Sequence, residues 1–80
     1  MDNILLVSKT LPFPQLMRIA EGMSYKHDSV VIKARGKQIQ RAVEVAIMLQ
    51  ERGRGDIVET TYGAEGDDIH IPSIQINITV

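Results

Sequence analysis

The sequence predicts an α/β fold of the α+β two-layer sandwich kind, with element order β-α-β-α-β-β and a four-stranded mixed sheet carrying two helices on one face. Three observations predict it. Apolar residues recur near every 3.6 positions in two segments and at every second position in others. Prolines and glycines fall between those segments, where the chain must turn. The length, 80 residues with 44% hydrophobic content, suits one domain spanning 1–80, near the lower size at which a chain folds without a disulfide or metal.

Each element has its own justification. Asn3 to Ser8 reads as a short buried strand, apolar on both faces at Ile4, Leu5, Leu6 and Val7. Pro12 and Pro14 end it and pre-set φ for a helix start. Phe13, Leu16, Met17, Ala20 and Met23 follow i, i+3, i+4, i+7 spacing, which predicts a first helix of about three turns. Gly22 weakens its last turn, and Ser24 to Asp28 reads as a polar connection. A second strand runs from Ser29 to Arg35, with Val30, Ile32 and Ala34 on one face and Val31, Lys33 and Arg35 on the other.

Gly36 supplies a turn into a second helix, Lys37 to Arg52. Ile39, Ala42, Val43, Val45, Ala46, Ile47 and Leu49 sweep a wide apolar arc, and Lys37, Arg41, Glu44, Met48 and Glu51 share the opposite face. Gly53 and Gly55 fit a C-terminal stop, with Arg52 placed favourably against the helix dipole. Ile57 to Tyr62 is a third strand, and Gly63 to Asp68 a turn cluster. Ile74, Ile76, Ile78 and Val80 then alternate with Ser73, Gln75, Asn77 and Thr79 in a half-buried last strand that Pro72 opens.

Composition excludes several classes. There is no cysteine, hence no disulfide or thiolate centre. No basic leader precedes Ile4 to Val7, so no signal peptide is expected. No apolar run approaches the roughly 20 residues that cross a bilayer, and the expectation is a soluble protein without a membrane partner. His27 and His70 have no recurring ligand spacing, and Asp67-Asp68 is explained by a hydrophilic turn, so no metal is expected. Glycine-rich phosphate loops are absent. Ser8-Lys9 lacks an oxyanion hole. Neither an enzymatic role, a cofactor nor a small-molecule substrate is indicated.

Charge is segregated. All nine Lys and Arg fall in residues 1–54 against five acids, leaving +4, whereas residues 55–80 hold five acids and no Lys or Arg, leaving −5. Lys33, Arg35, Lys37 and Arg41 gather around one strand-to-helix corner, where a hydrophobic core requires no cation. A glycine turn entering a helix adds backbone N–H donors, the second requirement of a phosphate site. Lys9 joins them if the first two strands are neighbours. Neither Tyr25 nor Tyr62 lies in the patch and there is no Trp, which favours backbone contact with a helical nucleic acid over base stacking. Arg52-Gly53-Arg54-Gly55 is too short for an RNA-binding arginine–glycine segment, and helix termination explains it better.

The segment Ile32-Lys33-Ala34-Arg35-Gly36-Lys37-Gln38-Ile39-Gln40-Arg41-Ala42-Val43 closely resembles the Alba family of small archaeal chromatin proteins. The resemblance reaches back to Asn3-Ile4-Leu5-Leu6-Val7-Ser8-Lys9 and forward to the Ile-rich last strand, over most of the chain. It implies a homodimer with a fold like the C-terminal domain of bacterial translation initiation factor 3. Such a dimer binds double-stranded DNA or RNA without sequence preference, in the cytoplasm and on the nucleoid. Helix two and the neighbouring strand surface would form the dimer interface. By position, the resemblance makes Lys9, Lys33, Arg35, Lys37 and Arg41 the nucleic-acid-binding residues and Lys9 a possible acetylation target; acetylation would remove one cation. Five phosphate contacts per protomer would give a salt slope of roughly −4 to −5.

Two features depart from the family pattern. Ser8-Lys9 stands where a lysine pair is usual, and a short loop with Glu65, Asp67 and Asp68 replaces a long basic hairpin arm. The acids would repel phosphate and weaken binding. They favour an alternative in which the chain is a dimerisation or protein-interaction module that binds nucleic acid weakly. The resemblance, through other branches of the family, also implies a ribonucleoprotein subunit as a further alternative.

Overall fold

The computed structural model describes residues 3–64 and 71–80. Along the chain run β1 (Ile4–Leu6), α1 (Phe13–Lys26), β2 (Ser29–Arg35), a 3-10 turn at Gly36–Gln38, α2 (Ile39–Glu51), β3 (Asp56–Ala64) and β4 (Pro72–Thr79). The strands form one mixed sheet in the order β1-β2-β4-β3. β1 is parallel to β2, while β2–β4 and β3–β4 are antiparallel. The expected β-α-β-α-β-β order and two-layer architecture are thus observed.

One face of the sheet carries the helices. Val30, Ile32 and Ala34 of β2 and Ile74, Ile76 and Ile78 of β4 meet Leu16, Met17 and Ala20 of α1 and Ala42, Val45, Ala46 and Leu49 of α2 in a single buried cluster. The register places Val30 opposite Ile78, Ile32 opposite Ile76 and Ala34 opposite Ile74, so the two central strands present matched apolar rows. Ala20, Ala42 and Ala46 are fully buried, and their small side chains let the helices sit close to the sheet.

β1 is shorter than expected and buried on one side only. Leu5 and Val7 enter the core, but Ile4 is 40% and Leu6 67% exposed. They pair beside Val31 and Lys33, on the face that no helix covers. A run that is apolar on both faces suggests two covered faces; here only one is covered.

α1 starts where the prolines predict it. Pro12 is the N-cap with φ −63°, and its carbonyl accepts from the N–H groups of Gln15 and Leu16. The helix ends later than the polar run suggests, because Ser24 is buried and its hydroxyl donates to the Glu21 carbonyl at 2.6 Å, an internal bond that hides the polarity.

β3 contains a bulge. Ile57 pairs with Ile78 and Glu59 with Asn77, leaving Val58 as the extra residue. Beyond it, Thr60 and Tyr62 lie opposite the core residues Ile76 and Ile74, while Glu59 and Thr61 lie opposite Asn77 and Gln75 on the open face. Val80 lies beyond the strand and is 48% exposed, its N–H donating to the Asp28 carbonyl, so the alternation of the last strand ends at Ile78. Gly63 and Ala64 belong to β3; the rest of the expected turn cluster lies outside the described residues.

Candidate nucleic-acid interface

Because β1 and β2 are parallel, their carboxyl ends leave the sheet at the same edge. The Val7 N–H donates to the Lys33 carbonyl at 2.9 Å, which extends that pairing beyond β1 and delivers Lys9, exposed, beside the end of β2. Lys33 and Arg35 stand on the open face opposite the neutral Gln75 and Ser73. Gly36 then turns the chain with φ +60°, a conformation that side-chain-bearing residues rarely adopt. Lys37 follows, exposed, in the 3-10 turn. Neither this turn nor α2 has a side-chain cap or an acid in its first turn, so its leading N–H groups face the same edge without a built-in anion.

Arg41 differs from the expectation that it shares a solvent-facing surface. It is half-buried, and its Nη1 donates to the Ser8 carbonyl at 2.7 Å and to Gln38 Oε1 at 3.3 Å; Nη2 donates to the Leu11 carbonyl. At helical spacing Arg41, Val45, Met48 and Arg52 form the stripe of α2 that turns toward α1 and the loop before it. Met48 accordingly packs against the core instead of facing water. Arg41 therefore braces the loop that carries Lys9. Within that loop the Ser8 hydroxyl contacts Thr10 Oγ1 at 2.8 Å and accepts from the Thr10 N–H, so Ser8 organises the backbone where a second lysine would only add charge. Arg41→Met is expected to cost about 2 kcal/mol, the scale of hydrogen bonds made by a charged donor, measurable as a lower urea midpoint. Arg41→Lys should recover only part of it, since an ammonium lacks the planar fork that reaches two carbonyls at once.

β3 ends and β4 begins beside the end of β2. Ser73 pairs with both Arg35 and Gly63, and Ala64 pairs with Pro72 one step beyond. Glu65, Asp67, Asp68 and His70 lie outside the described residues.

A second surface is apolar. Ile39, Val43 and Ile47 form the α2 stripe nearest β3, where Gln50 Oε1 accepts from the Ile57 N–H. Ile47 is 43% and Tyr62 70% exposed, because β3 is the sheet edge and lacks a helix beyond α2. Sequence reading placed Ile47 within the apolar arc but gave no means of telling which end of that arc is left uncovered.

Among the described residues, no three His, Cys, Asp or Glu side chains gather as metal ligands, and no helix is long and apolar enough to cross a membrane. One contact escaped sequence reading: Arg54 Cζ lies 4.3 Å from the centroid of the Tyr25 ring. It joins the end of α1 to the residue after Gly53, a tertiary proximity that no local pattern signals.

A family model, Alba, matches residues 3–62, a span that includes Lys9, the whole β2–α2 corner and the α2–β3 surface. The chain belongs to the Alba family. Membership supports nucleic-acid binding. Solved Alba structures have the same fold. Alba from Thermoplasma volcanium aligns with a TM-score of 0.83 at 25% identity, over 96% of this chain and 99% of that one. ALBA1 from Trypanosoma brucei aligns with a TM-score of 0.86 at 20% identity, over 96% of this chain and 68% of that one.

Proposed function

We propose that this Alba protein binds duplex DNA or RNA through the phosphate backbone, as a homodimer and without reading base sequence. The observation that carries the reading is the parallel β1–β2 pairing, which sets Lys9 beside Lys33, Arg35 and Lys37. Those four cations are available to phosphates, while the guanidinium of Arg41 is engaged with loop carbonyls and holds Lys9 in place. Opposite charges line neither Lys33 nor Arg35 on β4. The half-exposed apolar surface between α2 and β3, with Ile47 and Tyr62, supports dimerisation, since a small domain gains most by burying such surface against a second copy. A role in packaging nucleic acid in the cytoplasm or on the nucleoid follows from binding of this kind.

Salt titration tests the reading. With four contacts, log K against log salt should fall with a slope of about −3.6 per protomer on duplex DNA. The same affinity should be found for unrelated duplex sequences. A flat salt response would sink the proposal. Comparing duplex DNA with structured RNA at matched salt assigns the preferred partner. The acids of residues 55–80 favour one rival, a dimerisation module with little nucleic-acid affinity. That rival prevails if no binding is detected up to about 100 μM at low salt, the weak end of non-specific binding.

A further inference from the structure

About 20 Å from the basic corner, at the other end of the 13-residue α2, a second group of cations surrounds an exposed aromatic ring. α2 ends in a Schellman turn: Gly53 has φ +72°, its N–H donates to the Gln50 carbonyl, and the Arg54 N–H donates to the Leu49 carbonyl at 2.9 Å. That geometry fixes the backbone of Arg54 and leaves its guanidinium over Tyr25 at 4.3 Å. Tyr25 is nonetheless 75% exposed. It borders a groove of about 590 Å³ that Phe13, Met17, Arg18, Gly22 and Arg52 also line. Arg18, Gly22 and Tyr25 stand at i, i+4, i+7 on one face of α1. The acid of this groove, Glu21, is bound to Arg52 at 3.0 Å.

We propose that Tyr25 and Arg54, with Arg18 beside them, form a second nucleic-acid site that takes an unpaired base and its phosphate. The chemistry is that of single-strand recognition: an exposed ring already in cation–π contact with a guanidinium offers its surface to a base, and the neighbouring Arg18 meets the backbone. Orientation follows from charge. Asp56 lines the neighbouring groove that Tyr25 and Arg54 share, and Arg52 is already paired with Glu21, so the phosphate is directed toward Arg18. Gly22 supports the assignment. Glycine is a poor choice for a helix interior, yet a Cβ placed there would meet nothing within 4 Å. Its absent side chain keeps the groove open.

The inference rests on the chain being a nucleic-acid binder, and the test separates the two. The chain has two tyrosines and no tryptophan, so in the Tyr62→Phe protein all tyrosine emission comes from Tyr25. Single-stranded oligoadenylate should quench it, and a blunt duplex of equal length should not. Tyr25→Ala should weaken oligoadenylate binding about tenfold, the scale of one stacked base, with duplex affinity unchanged, and Tyr25→Phe should restore it. Gly22→Leu should raise the melting temperature while weakening oligoadenylate, a combination that structural damage cannot produce. Oligoadenylate binding without quenching overturns the proposal. So does an equal loss on both nucleic acids, or Tyr25→Ala changing only the sedimenting mass, which would make the groove a contact between copies. Failure of both nucleic acids to bind the wild type removes the underlying reading instead.

Discussion

Gly55→Ala is expected to destabilise the protein by about 3 kcal/mol, lowering its melting temperature by roughly 15 °C. Gly55 has φ +155°, and a Cβ there would lie 2.7 Å from Ile78 Cγ2 and 3.0 Å from the Thr79 carbonyl oxygen. Neither neighbour can yield. Ile78 is 1% exposed and packed in the core, and Thr79 is held in the ladder opposite both Ser29 and Asp56. The added methyl therefore combines a strained backbone with overpacking, at the point where β3 enters the sheet. The other glycines set the scale. Gly22→Ala meets open space in a helix interior and should stabilise by up to about 1 kcal/mol. Gly53→Ala also meets open space, but its φ of +72° imposes the left-handed penalty of about 1 kcal/mol. Circular-dichroism melts of the three variants check the order. A Gly55→Ala protein melting within about 5 °C of the wild type would show that this corner relaxes at little cost.

Much of this molecule was legible in its sequence because its periods are clean. The alternation of Val30, Ile32 and Ala34, and of Ile74, Ile76 and Ile78, specifies two central strands with one buried face, and all six residues are buried. Gly36 and Gly53 mark a turn and a helix stop by their place between the periodic segments, and both adopt positive φ. What escaped depends on the third dimension. Ile4 and Leu6 look like core residues until the open face of the sheet is known. Arg41 looks like a surface cation because helical periodicity gives an angle, but not the loop lying at that angle; Ser8 and Leu11 supply the carbonyls from 30 or more positions away. The Val58 bulge has no marker in its own residue type. It becomes visible only when the β3–β4 register slips between Ile57 and Glu59. For the site, sequence spacing gathers Lys33, Arg35, Lys37 and Arg41, of which Arg41 turns to loop carbonyls, while the addition of Lys9 requires the parallel pairing of β1 with β2.

That pairing makes the double variant Lys33→Glu/Arg35→Glu the most damaging change to binding. Both side chains stand on the open face of β2 opposite neutral partners, Gln75 and Ser73, and neither belongs to the buried cluster. Reversing them leaves the core untouched, so the melting temperature should stay within about 5 °C of the wild type. Binding responds differently. Two phosphate contacts per protomer disappear, which alone reduces the salt slope by about 2. Two carboxylates then face the phosphate backbone between Lys9 and Lys37, and the repulsion extends to the contacts that remain. At low salt the loss on duplex DNA should reach at least about a hundredfold, since like charges brought together cost several kcal/mol. Lys33→Gln/Arg35→Gln, which deletes the charges without reversing them, should fall between the double Glu variant and the wild type. Sedimentation should show the same mass for all three, because the candidate dimer surface at Val43, Ile47 and Tyr62 lies on the other side of the sheet from the two cations. A double Glu variant that binds duplex DNA with the wild-type affinity and salt slope would remove the β2 corner from the interface, whatever the charge pattern suggests.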